Sequence, residues 1–226
     1  MFCVPHQLMT ASNGSSCSGA AWAWSGRAGD HRVVKHWDSV DAQRRTSGKV
    51  PTQILYKGNE IKWGFNIPPE EKPIQWFKLL LLRPEDMKQP FMDDRIKDFR
   101  YVKVAREELR RLNKSAEDVV ADYLKMLWQH ILADMKRDLG DASVDGQPFR
   151  VVMTFPAIWP LYAQSRMRQA ATMAGILDHR DCGETRLDLC AEPEAAALAV
   201  MEDNEGTPVD VRTPSLMHSG KVAEII

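Results

Sequence analysis

Between residues 149 and 201 the chain alternates apolar runs of two different periods, and that alternation restricts the fold more than any other feature. FRVVMTF at 149–155 is a short continuous apolar run with β-branched residues, which reads as a buried strand. LYAQSRMRQAATMAGI follows as a helix that Gly175 stops, LDLC as a second short strand, and EPEAAALAVM as the next helix. Strand, helix, strand, helix predicts an α/β layer with the sheet covered on its faces. In such folds ligands approach the ends of the strands, and Glu192 falls there.

The junction at Glu192 is chemically unusual. Proline suits the first helical position, because its missing N–H would be unpaired there anyway, so Pro193 opens the helix and Glu192 is its N-cap. N-caps favour Asn, Asp, Ser and Thr, whose short side chains reach the N–H two or three residues on. Glu is too long for that, although it suits the positive end of the helix dipole. Its carboxylate is either an ordinary charged helix start or a group aimed at something outside the fold.

Upstream, KVPTQILYKGNEIKWGF at 49–65 alternates Ile54 and Tyr56 on one side of KGNE, and Ile61, Trp63 and Phe65 on the other. Gly58-Asn59 supplies the turn chemistry, which predicts a hairpin. Three prolines in NIPPEEKPIQW force extended chain before a helix expected from about Ile74. WFKLLLL is apolar on nearly all sides, with Lys78 its exception; RPEDMKQPFMDD reads as a loop. The clearest helix is SAEDVVADYLKMLWQHILADMKRDLG. Ser115 with Asp118 resembles a capping box, and Val119, Val120, Tyr123, Leu124, Leu127, Ile131, Leu132 and Met135 make one apolar stripe at helical spacing. Gly140 ends it. Residues 1–31 are rich in Ser, Gly and Ala; within them AAWAW at 20–24 has the character of a strand. After Met201 the chain turns to charge and turn signals with little periodicity.

Composition narrows the function classes. The 226 residues are 44% hydrophobic and 27% charged with a formal net charge of −1, which offers no general electrostatic case for nucleic acid or an anionic membrane as partner. Arg106, Arg110 and Arg111 are interleaved with Glu107 and Glu108 and read as a solvated helix face. No apolar run is long enough to span a bilayer, and MFCVPHQLMT lacks the basic and apolar regions of a signal peptide. Cys3, Cys17, Cys182 and Cys190 form no C-x-x-C pair, which argues against zinc and fits a reduced, cytoplasmic setting. His31 and His36 lie five apart, off the spacing of two ligands on one helix face, and are expected at the surface.

VVMTFPAIWPLYAQSRMRQAATMAGI, a short strand and EPEAAALA together resemble the ATPase domain of the seventy-kilodalton heat-shock chaperones, members of the actin-like ATPase superfamily. Thr154, Pro156, Ala157, Gln164, Arg168, Gln169, Ala170, Ala174, Gly175, Glu192, Pro193 and the alanines 195–197 carry the likeness. The Trp-rich style (AWAWSG, KWGF, IQWFKLL) is similar to the divergent branch common in filamentous fungi. KVPTQILY resembles the strand with the family's T-P-S segment, and GSSCSGAAWAW the end of its first phosphate loop, G-T-T-x-S-G. The resemblance implies an actin-like ATPase (ribonuclease H-like) lobe, a mixed sheet with flanking helices and an incomplete second lobe. It assigns 1–13 to a poorly ordered N-terminus, 14–201 to the first lobe and 202–226 to a loose, divergent tail.

It also implies a chemistry. The ligand would be ATP with Mg2+, held by Gly14, Ser15 and Ser16 of the phosphate loop, with ATP or ADP as small-molecule partners and no protein ligand on the metal itself. Lys78 would stabilise charge on the terminal phosphate and orient the attacking water, and Glu192 would contact the water shell of the magnesium. Each assignment has a plainer counterpart: a snorkelling stem for Lys78, a flexible Gly-Ser linker for Gly14, Ser15 and Ser16. The pattern is also incomplete. Ser12 stands where the family carries an acidic residue, and the 226 residues contain no D-x-G-G-G-T, the second phosphate loop. Losing one or two charge-assisted contacts costs about 1.5–3 kcal/mol each, so the lineage is ATP hydrolysis but this chain is expected not to turn over. Two alternatives stand beside it: a non-catalytic protein-interaction module on the same lobe, and, more weakly, a small-molecule kinase of the superfamily.

Overall fold

The structure, a computed structural model, describes residues 2–6, 16–24, 31–40, 47–88 and 100–203. Its strands are β1 (Phe2–His6), β2 (Cys17–Ala23), β3 (His31–Val33), β4 (Val50–Pro51), β5 (Gln53–Lys57), β6 (Glu60–Trp63), β7 (Ile74–Gln75), β8 (Arg150–Phe155) and β9 (Arg186–Ala191). Its α-helices are α1 (Arg100–Arg111), α2 (Ala116–Leu139), α3 (Asp141–Asp145), α4 (Leu161–Met173) and α5 (Glu192–Asp203). The fold is mixed α/β, as the alternation over 149–201 predicts.

The larger sheet runs β3-β2-β1-β8-β9, with β4 pairing β2. Its first strands are antiparallel, with Phe2 opposite Ala23 and His6 opposite Gly19, and Ala21 opposite Val33. From β1 onward it turns parallel: Cys3 faces Val151, and Val151 faces Leu187 up to the Phe155–Ala191 pair. Each parallel crossover needs a long connection, and α4 provides the one between β8 and β9. The strands β1, β8 and β9 therefore end at one edge of the sheet, with Glu192 directly after β9. Ser16 enters β2 at that same edge.

The smaller sheet, β6-β5-β7, is antiparallel. Lys57 pairs with Glu60 around Gly58-Asn59. Gly58 has φ 62 while Asn59 is not among the positive-φ residues, so the turn follows the type II′ pattern with glycine first. The hairpin expected at 49–65 is present.

Helix α2 is the spine. The Ser115 side chain accepts from the Asp118 N–H and the Asp118 carboxylate accepts from the Ser115 N–H, completing the capping box; Gly140 closes the far end with φ 83. Its buried face includes Val119, Val120, Tyr123, Leu124, Leu127, Ile131 and Met135, with Leu132 part-exposed. That face covers the sheet, where Trp22 and Met153 are almost fully buried. Trp22 Nε1 donates to the buried Asp134 at 3.0 Å, and Arg137 pairs with the same carboxylate. One polar bond thus ties strand to helix inside an apolar interface.

One expectation differs. The helix predicted from about Ile74 is instead β7 followed by a 3₁₀ turn, Phe77–Leu81. Ile74 pairs with Ile54 across the sheet, and Trp76 then takes a left-handed conformation, φ 61 and ψ 10, that an α-helix does not contain. Within 1–13, Phe2–His6 form β1, paired on either side with β2 and β8. Helix α5 runs through Glu202 and Asp203, the first residues assigned to the tail. The rest of 1–13 and 204–226 lie outside the described residues.

Candidate functional site

Lys78 sits in the 3₁₀ turn Phe77–Leu81, every residue of which is buried. The turn is pinned from α4: Arg166 donates to the Leu81 carbonyl at 2.6 Å and makes a two-pronged pair with Glu117 at the start of α2. The guanidinium beside Glu117 holds that carboxyl below the usual range. On the N-terminal side, Trp76 in the left-handed region is costly for a bulky residue, about 1–3 kcal/mol. Such strain persists only where surrounding contacts over-determine it; the Trp76 ring lies tilted against that of Tyr101 with ring centroids 6.4 Å apart.

The ammonium of Lys78 meets two groups. Its Nζ lies 3.9 Å from Oε1 of Glu192 and 5.3 Å from the centroid of the Trp159 ring. A charge-assisted N–H···O bond spans about 2.7–2.9 Å, so the carboxylate is near but not bonded. Among the described residues Lys78 has no hydrogen-bond partner. Burial pushes its amine down to about 8, opposed by the Glu192 charge. Glu192 is half-buried, and burial raises its carboxyl against the pull of Lys78. Each group is dominated by its own loss of water, which fits a pair that has not closed.

Lys78 is only 9% exposed, so it does not snorkel, and the exception expected in the apolar run is itself buried. Beside its side chain lies a cavity of about 30 Å³ lined also by Ser18, Thr52, Tyr123 and Thr154. Ser18 Oγ and Thr52 Oγ1 are 2.8 Å apart. Tyr123 donates to the Pro51 carbonyl at 3.4 Å, and burial raises its phenol. A cavity of that size with several hydroxyls holds about one water.

Ser16 is 4% exposed and its Oγ has no hydrogen-bond partner among the described residues. It belongs to β2's entrance, at the sheet edge where Glu192 begins α5. Gly14 and Ser15 lie outside the described residues. Of the five residues singled out from the sequence, the structure brings Lys78 and Glu192 together and leaves Ser16 at the same edge.

Trp159 was not singled out, and it forms the apolar floor under Lys78. It is 4% exposed; its backbone N–H donates to the Pro156 carbonyl at 3.0 Å and its backbone carbonyl accepts from the Gln164 side chain at 3.2 Å. The signal was an aromatic residue bracketed by Pro156 and Pro160 straight after a strand, a rigid loop carrying a large side chain. Arg166 was equally silent, because an arginine on a helix gives no sign of which carbonyls it reaches.

The fit of a phosphate and of magnesium can be separated. An ammonium and a buried serine hydroxyl, neither with a hydrogen-bond partner among the described residues, suit anionic oxygens. Among the described residues no group of three or more His, Cys, Asp or Glu is placed to hold a metal ion; the Glu192 carboxylate, half-buried beside Lys78, is of a kind that could meet a magnesium ion through water. No family model and no curated protein matches this chain. No helix among the described residues is long and apolar enough to cross a membrane.

Proposed function

We propose that this chain is the first lobe of an actin-like ATPase domain of the seventy-kilodalton heat-shock type, that it binds the phosphates of ATP weakly, and that these 226 residues alone do not turn ATP over. The observation that carries the reading is the meeting of Lys78 and Glu192, far apart in sequence, at the edge where the parallel strands end. The mixed sheet with flanking helices is compatible with that reading. In this reading Lys78 would donate to a terminal-phosphate oxygen, and Glu192 would meet a magnesium ion through water. Bound magnesium would neutralise phosphate charge. Phosphoryl transfer to water depends on positioning and electrostatic stabilisation, and a site clamped by one loop supplies only part of each.

Calorimetry with MgATP tests this. We expect binding weaker than micromolar that falls at least tenfold in Lys78→Ala, without steady phosphate release. Micromolar affinity with sustained turnover contradicts the inactive part; binding indifferent to Lys78 contradicts the site. A second reading, a non-catalytic interaction module, is favoured by Ile158 and Leu161, 50% and 79% exposed on either side of Trp159. Pull-down of a defined partner without nucleotide, lost when both are changed to Ser, would support it.

A further inference from the structure

We propose that Trp159 is the positioning residue of this site: its indole face holds the Lys78 ammonium off Glu192 and so leaves the N–H donors for the oxygens of a phosphate-bearing ligand. The ligand class rests on the reading of Lys78 given above; the positioning does not. A lysine and a carboxylate in a half-dry setting attract strongly, and a flexible four-carbon stem would ordinarily close the gap. Here the gap stays at 3.9 Å. The competing attraction is the ring, whose negative face draws a cation within about 6 Å of its centroid, most strongly where water is excluded. Lys78 meets that condition at 5.3 Å.

Both sides of this contact are fixed. The Trp159 backbone is tied at its N–H to Pro156 and at its carbonyl to Gln164, and its side chain is buried. The turn carrying Lys78 is gripped by Arg166 through Leu81. Glu192 comes from a third element, the start of α5, so nothing in its own placement draws the ammonium to the ring. An ammonium closed onto Glu192 would offer an anion a neutralised pair. Resting on an aromatic face, it keeps its charge and its donors.

The test uses the whole chain labelled with carbon-13 at lysine Cε, the Lys78 signal being the one lost in Lys78→Arg. In Glu192→Gln, an isosteric change outside the core, the signal is expected to keep the upfield displacement that an aromatic face imposes. In Trp159→Leu, or in Trp159→Met if the former fails to fold, Lys78 closes onto Glu192 and its titration midpoint rises by about one pH unit, corresponding to roughly tenfold. Adding Glu192→Gln to that variant cancels the rise, and Trp159→Phe keeps the original midpoint. Loss of the upfield displacement in Glu192→Gln overturns the proposal whatever the Trp159 variants do. So does a folded Trp159→Leu or Trp159→Met variant whose midpoint stays put. Titration with inorganic phosphate is read separately: an unmoved Lys78 signal in the unaltered chain rejects the phosphate reading and leaves the positioning decided by the other arms.

Discussion

Lys78 is the residue where sequence and energetics disagree most sharply. Burial lowers its amine from the ordinary 10.5 to about 8. The unfolded chain therefore holds this proton more tightly than the folded one, and stability rises with pH between about 8 and 10.5. Below 8 both states are protonated and the full cost stands. At about 1.4 kcal/mol for each tenfold change the cost is roughly 3 kcal/mol, of which Glu192, left without its cation, would take back part. Lys78→Met is thus expected to be more stable than the unaltered chain at pH 7 by on the order of 1–3 kcal/mol. Urea unfolding at pH 7 and pH 10 checks this, the difference shrinking at the higher pH. A Met variant less stable at pH 7, or a difference that ignores pH, would mean the amine is not held in a dry site. A residue that weakens its own fold in this way is what a binding group looks like.

At the scale of elements, the long helix and the strand pattern were legible because each repeats its signal. Helix α2 shows its stripe over many turns, and Ser115-x-x-Asp118 marks its start. Asp118 is held below the ordinary carboxyl range, first by the Ser115 backbone N–H and then by its hydroxyl. Ser115→Ala is expected to cost about 1 kcal/mol. Because the two halves of the box share partners, the double change with Asp118→Ala should cost less than the sum of the singles in a denaturation cycle; strict additivity would deny the coupling. The turn around Lys78 was not legible. Its shape depends on Trp76 leaving the right-handed region and on Arg166 reaching Leu81, and both are tertiary facts that no local period records. Strand β1 was missed for the same reason. FCVPH has a weak pattern of its own and owes its place to strands on both sides.

Over the whole molecule, the parallel half of the sheet follows from alternation at 149–201, whereas the antiparallel half needed the structure. Residues 17–23 carry a usable strand signal, but their partners β1 and β4 are short and their pairing is long-range. The candidate site inherits this split. Lys78 and Glu192 owe their assigned roles to the family resemblance; the residues alone mark Lys78 only as a charge in an apolar run and Glu192 only as an ill-suited N-cap. Trp159, Arg166 and the Ser18–Thr52–Tyr123 hydroxyls were hidden, since each acts through a neighbour distant in sequence. The proposed function predicts that nucleotide lies along one sheet edge, between the ends of β1, β8 and β9 and the turn of Lys78. A crystal structure of the chain grown in saturating MgATP examines this most directly. The account predicts a phosphate oxygen within about 3 Å of Lys78 Nζ, a hydrogen-bonding distance, with Glu192 turned toward the same group; nucleotide bound elsewhere, with Lys78 closed onto Glu192, would contradict it.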